Sequence, residues 1–486
     1  EGETYNYSIT TEDVDGDAVT VTAPTKPSWL ILAKQGNKVT TLAGSVDANY
    51  EGGYADGKGA LAKFNSPYGV AVDADGNIYV ADTKNHRIRK ITPTGVVTTF
   101  AGSGTARFAD GTGNAASCNN PIGVAVDKSG NVYVADSENS RIRKITPEGV
   151  VSTIAGSTRG FKDGIKTLAQ FADPTDIDVD EAGNIYVADS NNHRIRKIAP
   201  DGVVSTIAGS IFGFADGTGS AASFRYPYTI ALDGDGKNIY VADDGNHRIR
   251  KITLSTKNVT TFAGSGEAGY LDGTGTAAKF SRPHGIAVDG AGNVYVTDTK
   301  NHRVRKITPS KVEATLAGSG AFNTPNGGFA DGTDTSAKFF LPIAIAIDGT
   351  GNIYVADNIN QRIRKISGNL ILTGDSSNQT DTHDVTLTAN DGNNGTATQT
   401  FTITVKGKPK VTSNAADAIL ASGATLNGVA TADANAPITK TGFVYSITSE
   451  NADPKIDGTD VVNKELSTAT SPFLLALTGL KGNTGY

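Results

Sequence analysis

Methionine is absent from this 486-residue chain, cysteine and tryptophan occur once each, and aromatic residues make up 7%. The single cysteine, Cys118, excludes a disulfide within the chain, so no framework of cross-links holds it together. No apolar run approaches the roughly 20 residues a membrane-spanning helix needs, and no basic-then-apolar leader opens the sequence. Insertion into a membrane is therefore not expected of this segment. Positive charge is not in excess either: 44 Lys and Arg stand against 50 Asp and Glu, a net charge of −6. Such a field exerts no long-range pull on phosphate backbones, and nucleic acid is not an expected partner. Lacking Met, and running from Glu1 to Tyr486 without a completed pattern at either end, the chain reads as an interior piece of a longer protein. Export signals and anchors are expected outside it.

What is present is glycine, 57 residues of it, between short runs rich in Val, Ile and Tyr. That pattern predicts turn-dense all-β structure without long helices. The length predicts several domains.

A repeat dominates the chain. Y-V-A-D or Y-V-T-D has its Tyr at 79, 133, 186, 240, 295 and 354, with spacings of 54, 53, 54, 55 and 59. Each unit reads as four short strands: P-x-G-V-A-V-D, G-N-I-Y-V-A-D, H-R-I-R-K-I and G-V-V-T-T-F-A-G. Four strands per unit predict a propeller blade, and six units predict six blades. A segment like F-A-D-G-T-G-x-A-A-x-F precedes each P-x-G and is expected to form a long loop between blades. The last unit stops at Ile366 without a fourth strand, whereas Lys38–Gly44 reads as a fourth strand with no unit before it. The first strand is thus expected to close the last blade, leaving no long open edge.

Asn85-His86-Arg87-Ile88, Asn192-His193-Arg194-Ile195, Asn246-His247-Arg248-Ile249 and Asn301-His302-Arg303-Val304 resemble the NHL repeat. The resemblance covers residues from about 38 to 367 and implies a six-bladed β-propeller. Two units depart from it, with Ser140 and Gln361 in the His position.

The flanks resemble bacterial surface modules. Residues 1–32 and 368–406 resemble two halves of one immunoglobulin-like or cadherin-like β-sandwich, too short to stand separately. The propeller, 33–367, is expected to be inserted between them, because ring closure brings its ends together. Residues 407–486 resemble an incomplete fibronectin type III-like domain. Strings of such modules imply an exported protein at the cell surface, with other modules of the same chain as neighbours.

Polar residues that recur in every unit suit a scaffold better than a site. Asp82, Asp136, Asp189, Asp243, Asp298 and Asp357 recur in step with the Arg of R-[IV]-R, a pattern of Arg–carboxylate pairs tying strands together. Some NHL-type propeller enzymes, notably the peptide-amidating lyase, use His and metal near the channel, but Ser140 and Gln361 interrupt the series here, and zinc chemistry needs three ligands and an open position. Asp13, Asp15 and Asp17, in D-V-D-G-D, form an oxygen-rich loop that would suit calcium, the one cofactor the sequence suggests, although a polar turn explains it as well. No G-x-S-x-G marks a nucleophile. Cys118 takes the slot of Phe64, Phe171, Phe224, Phe280 and Phe339 and is expected to be buried.

Recognition should lie where the units differ. The variable positions flank the repeated Pro, and there Tyr68, Arg225, Tyr226, Tyr228, Arg282 and His284 are expected to gather on one propeller face. Aromatic and Arg side chains are favoured interface anchors. The expected function is non-catalytic binding or adhesion to a glycan or surface protein. The alternatives are a passive spacer or secretion cargo, and a metal-dependent lyase or lactone hydrolase acting at the central channel.

Overall fold

The computed structural model describes residues 4–13, 20–28, 30–46, 51–320, 327–375, 382–390 and 396–405, with short strands at 411–413, 416–419, 424–430, 443–445 and 473–476. The chain divides into two compact units, Asn37–Ser367 and the pair Glu1–Gly36 with Gly368–Tyr486.

In the first unit each sequence repeat is an antiparallel sheet. Blade one consists of Pro67–Val72, Ile78–Asp82, Arg87–Ile91 and Val96–Ala101, followed at its outer edge by the two residues Gly57–Lys58. Blades two to five repeat this order, with first strands at Pro121–Val126, Pro174–Val179, Pro227–Leu232 and Pro283–Val288. In blade six, Pro342–Ile347 pairs with Ile353–Asp357, which pairs in turn with the start of Arg362–Asp375, and the fourth place is taken by Leu30–Ala43 from the N-terminal side. Lys38 and Val39 pair in turn with Thr333 and Gly332.

The second strand of each blade, such as Ile78–Asp82, is buried at every residue, which is why it reads as an apolar run without alternation. It is flanked in its own sheet on both sides and covered by neighbouring blades on both faces. The hydrophobic core accordingly lies between blades, as six clusters. One of them joins Phe64, Val70 and Val80 of blade one to Ala346, Tyr354 and Ile363 of blade six, which closes the ring. The turn from first to second strand is tied by its Asp: the Asp73 carboxylate accepts the N–H of Asn77 at 2.7 Å and the hydroxyl of Tyr79 at 3.2 Å. The Gly of P-x-G has a packing reason. A Cβ on Gly69 would collide with the backbone of Ile122 and Val124 in the next blade, so this seam requires Gly, whereas Asp176, Thr229 and Ala344 take the position in blades three, four and six.

The segment expected as a long loop is instead part of the blade. Gly57 and Lys58 pair with Val97 and Val96, and Gly59–Leu61 forms a 3-10 turn. The Gly59 N–H donates to the Gly95 carbonyl of the same blade, while the Gly59 carbonyl accepts from Gly44 at the end of the previous fourth strand. The segment thus clamps adjacent blades, and Ala62 and Phe64 at its end are fully buried. Cys118 fills the Phe64 slot of blade two and is likewise buried; burial pushes its thiol pKa up.

In the other unit, Thr4–Asp13 pairs with residues 370–375 and with Ala424–Ala430, and Thr382–Asn390 lies between Thr20–Thr25 and Thr396–Val405. Val385, Leu387 and Ile403 are buried there. Most of the expected fibronectin type III-like domain falls outside the described residues, as do Asp15 and Asp17 of the calcium candidate; Asp13 ends a strand. No helix among the described residues is long and apolar enough to cross a membrane.

Candidate functional site

The six Y-V-[AT]-D carboxylates and the second Arg of each R-x-R are fully buried. In blade one, Arg89 reaches Asp82 at 2.7 Å through one terminal nitrogen and Asp56 at 2.6 Å through the other, and donates to the carbonyls of Lys63 and Ala55. The pairing is therefore not a two-pronged clasp on a single Asp. It is a knot joining the second strand, the third strand and the clamp segment, and it recurs in all six blades. Burial pushes Asp243 and Asp298 up to about 6 against the attraction of Arg250 and Arg305. The first Arg acts differently, by stacking: Arg87 lies 4.0 Å over the Tyr54 ring, and Arg141, Arg194, Arg248, Arg303 and Arg362 cover an aromatic ring in the same way.

The His of N-H-R-I staples blades together. His86 has a left-handed backbone, φ 53°, and its Nδ1 accepts the N–H of Asn120 in blade two at 3.1 Å. His247 and His302 accept from Arg282 and Leu341 at 3.1 Å, and His193 from Tyr226 at 3.4 Å. Gln361, one of the two departures from the motif, offers its amide oxygen to Ser66 at 2.6 Å in the same way. These imidazoles face the seams between blades. Among the described residues no group of three or more His, Cys, Asp and Glu side chains is placed to hold a metal ion.

The six sequence-predicted face residues form two groups. Four belong to a network at the channel. Tyr68 of blade one comes close enough to Tyr228 of blade four, opposite it in the ring of six blades, for the two hydroxyls to interact. The Tyr228 ring stacks on His284, with centroids 4.3 Å apart and planes 12° from parallel. His284 Nε2 lies 3.0 Å from the Asp244 carboxylate, and the Arg282 guanidinium grips the same carboxylate through Nε at 3.1 Å and a terminal nitrogen at 2.7 Å. Burial raises the pKa of Asp244, but His284 and Arg282 outweigh it and hold the carboxyl down at about 2. Side chains from opposite blades thus meet across the channel.

Arg225 and Tyr226 are not part of that network, contrary to the expectation of a single patch. Tyr226 packs edge-on against Phe212 and His193, with centroids 5.7 Å and 5.0 Å apart, and the Arg225 guanidinium lies 4.8 Å over the Phe212 ring. Ile211, Phe212 and Tyr226 are 70%, 49% and 39% exposed. The residue just before the repeated Pro goes either way: Tyr226 joins Phe212, whereas Arg282, at the same position of blade five, turns to Asp244.

Four residues with evident roles escaped the sequence reading. Asp244 follows Y-V-A-D where the other blades have Thr83, Ser137, Ser190, Thr299 and Asn358. The Thr83 and Thr299 hydroxyls and the Asn358 amide donate to the Pro carbonyl of the next blade, which a carboxylate cannot do. Asp176 and Asp178, in P-T-D-I-D-V, accept the N–H groups of Ile230 and Leu232 from the innermost edge of blade four. Burial pushes Asp178 up to about 6. Phe212 stands two residues before the F-A-D-G aromatic, where other blades have Gly52, Ala106, Arg159, Ala268 and Gly327. All four differ from their counterparts in the other units, but only the structure supplies the partners that give Asp244 and Asp178 a role.

The NHL repeat family model matches residues 64–91, 119–145, 171–198, 224–252 and 280–307. The chain is 33% identical over 291 residues to Protein SUPPRESSOR OF QUENCHING 1, chloroplastic, of Arabidopsis thaliana, covering 55% of this chain and 27% of that protein. It is 31% identical over 337 residues to NHL repeat-containing protein 2 of Gallus gallus, covering 61% and 45%. To Teneurin-4 of Homo sapiens it is 28% identical over 368 residues, covering 65% and 12%. The chain spans less than half the length of each. Two solved structures from Bacteroides thetaiotaomicron share the fold: a structural genomics protein of unknown function (TM-score 0.55, 21% identity, 74% of this chain and 90% of that one) and an auxiliary nutrient binding protein (TM-score 0.53, 17% identity, 69% and 77%). With five NHL repeats in its sequence and six blades in a closed ring, the segment Asn37–Ser367 is an NHL-repeat β-propeller.

Proposed function

We propose that the chain is a non-catalytic recognition module of a longer extracellular surface protein, taking a glycan or another protein on the rim of its propeller. One observation carries this reading: Phe212 and Tyr226 leave half-exposed rings beside Arg225 at a position where blade three has an Arg159–Asp173 ion pair and the remaining blades lack an aromatic pair. An aromatic pair in water with a cation beside it is the composition of an interface anchor. The channel network, by contrast, sets the Asp244 carboxylate against Arg282 and His284 and suits a structural plug.

The test is binding of the full chain to glycan and surface-protein arrays, alongside Tyr226→Ala and Phe212→Ala variants whose thermal unfolding is measured in parallel. Saturable binding that is lost in a folded variant supports recognition and locates it. Saturable binding that both variants keep places recognition elsewhere on the chain. No binding on either array overturns the reading in favour of a spacer or secretion cargo, and metal analysis with a lyase and lactonase turnover screen then tests the enzymatic alternative.

A further inference from the structure

The rim group has a feature that narrows its ligand. Every other arginine near these variable positions is matched: Arg159 pairs with Asp173 at 2.8 Å, and Arg282 grips Asp244. Arg225 forms no ion pair with a carboxylate among the described residues. Its backbone N–H is anchored to Asp243 at 2.8 Å, its guanidinium carbon lies 4.8 Å from the Phe212 ring centroid, and the side chain is exposed. Beside it, Tyr226 sits in a left-handed backbone conformation, φ 52°, which recurs at the same position of every blade, and its side chain is 39% exposed. The edge-to-face contacts among Phe212, Tyr226 and His193 leave the first two rings partly exposed to solvent. Burial and the adjacent Arg194 lower the His193 pKa, so at neutral pH the imidazole adds no second charge.

Resting on the recognition reading above, we propose that this patch binds an acidic glycan: a pyranose whose C–H face stacks on the Tyr226 or Phe212 ring while its carboxylate takes the guanidinium fork of Arg225. The ring faces carry the negative lobe of the aromatic quadrupole, which the weakly positive C–H groups of a sugar face complement. The planar guanidinium fits a carboxylate through two parallel hydrogen bonds, and stacking on Phe212 preorders it so that less freedom is lost on binding. A purely apolar ligand would bury Arg225 without a partner, at a desolvation cost. A cationic ligand would be repelled. In a chain of net charge −6, a cation without a carboxylate partner beside partly exposed aromatic rings selects an anion with a flat apolar side.

The experiment is titration calorimetry of the full chain with oligogalacturonate, oligoglucuronate and a sialylated oligosaccharide, against methyl-esterified oligogalacturonate and a cello-oligosaccharide as neutral controls. At least one acidic probe should bind about tenfold or more tightly than its neutral counterpart, with affinity falling as salt rises. Arg225→Gln should abolish that preference, Tyr226→Ala should weaken binding about tenfold or more, and Tyr226→Phe should keep it, all with unchanged thermal unfolding. Equal binding of acidic and neutral probes, or acidic binding that Arg225→Gln leaves intact, overturns the proposal. So does failure of all acidic probes, and the protein array then separates two cases. Protein binding lost in Tyr226→Ala preserves the recognition reading with a different ligand, and none at all removes both.

Discussion

The amide oxygen of Gln361 accepts the backbone N–H of Ser66 at 2.6 Å, joining the last blade to the first. At three other seams the Nδ1 of a His makes the equivalent bond at 3.1 Å. The seam between blades six and one is the only one whose two sides come from opposite ends of the repeat array.

Gln361→Ala should therefore destabilise the ring by about 1 kcal/mol, the cost of leaving a partly buried donor unpaired, whereas Gln361→His should restore most of the loss. Denaturant unfolding gives the magnitude. Hydrogen exchange over residues 37–43 tests whether the opening is local to the closing strand.

The seam histidines predict a pH dependence. Burial lowers the pKa of His86, His193 and His247 below the ordinary 6.5. Above 6.5 both folded and unfolded imidazoles are neutral and the seam bonds contribute fully. As pH falls below 6.5 the unfolded chain takes up protons first, so stability is lost until the folded-state values are passed. Unfolding midpoints between pH 8 and pH 5 should decline on the acid side, and a His86→Gln/His193→Gln/His247→Gln variant should decline less, because Gln keeps the acceptor without the proton.

Glu313 makes the opposite prediction. It occupies the fourth-strand position held by Val39, Val97, Val151, Val204 and Val259 and is buried against Arg305, which already serves Asp272 and Asp298. Burial raises its pKa from 4.5 to about 8, outweighing Arg305. Between those values the unfolded chain is ionised and the folded one is not, so this residue makes stability fall as pH rises from 4.5 to about 8. Glu313→Val should raise the unfolding temperature, by a gain of about 1–3 kcal/mol near pH 8 that shrinks towards pH 4.

The buried arginines should tolerate no truncation. Arg143→Met leaves Asp136 unpaired in a closed interior and should cost about 3–5 kcal/mol. Arg143→Lys should recover little, because an ammonium cannot reach Asp136, Asp110 and the carbonyls of Ser117 and Ala109 at once. Chemical denaturation of the two variants distinguishes them.

Cys118 should resist thiol reagents in the native protein and react at once in denaturant, since it is fully buried and burial disfavours the thiolate. Native labelling at the rate of a free thiol would contradict the packing of blade two.

How far the site is legible in the sequence depends on how each residue acts. Tyr68, Tyr226 and Arg225 stand out because they break a repeat beside its Pro. Asp244 does not, because an Asp after Y-V-A-D looks like more of the same turn chemistry; its role arises only when blade five brings Arg282 and His284 against it. Asp178 is hidden for the same reason, since its partner Leu232 lies 54 residues on, in a neighbouring blade.

The sequence by itself determined the six units, their four strands and the strand that closes the ring, because these follow from local periodicity and turn residues that each unit carries. Only the tertiary structure decided how the variable side chains divide. Tyr226 meets Phe212, whereas Arg282, which precedes its Pro just as Tyr226 does, turns to Asp244, and Tyr228 stacks on His284. Linear spacing records which residues differ between blades; the radial geometry of the ring determines which of them can touch.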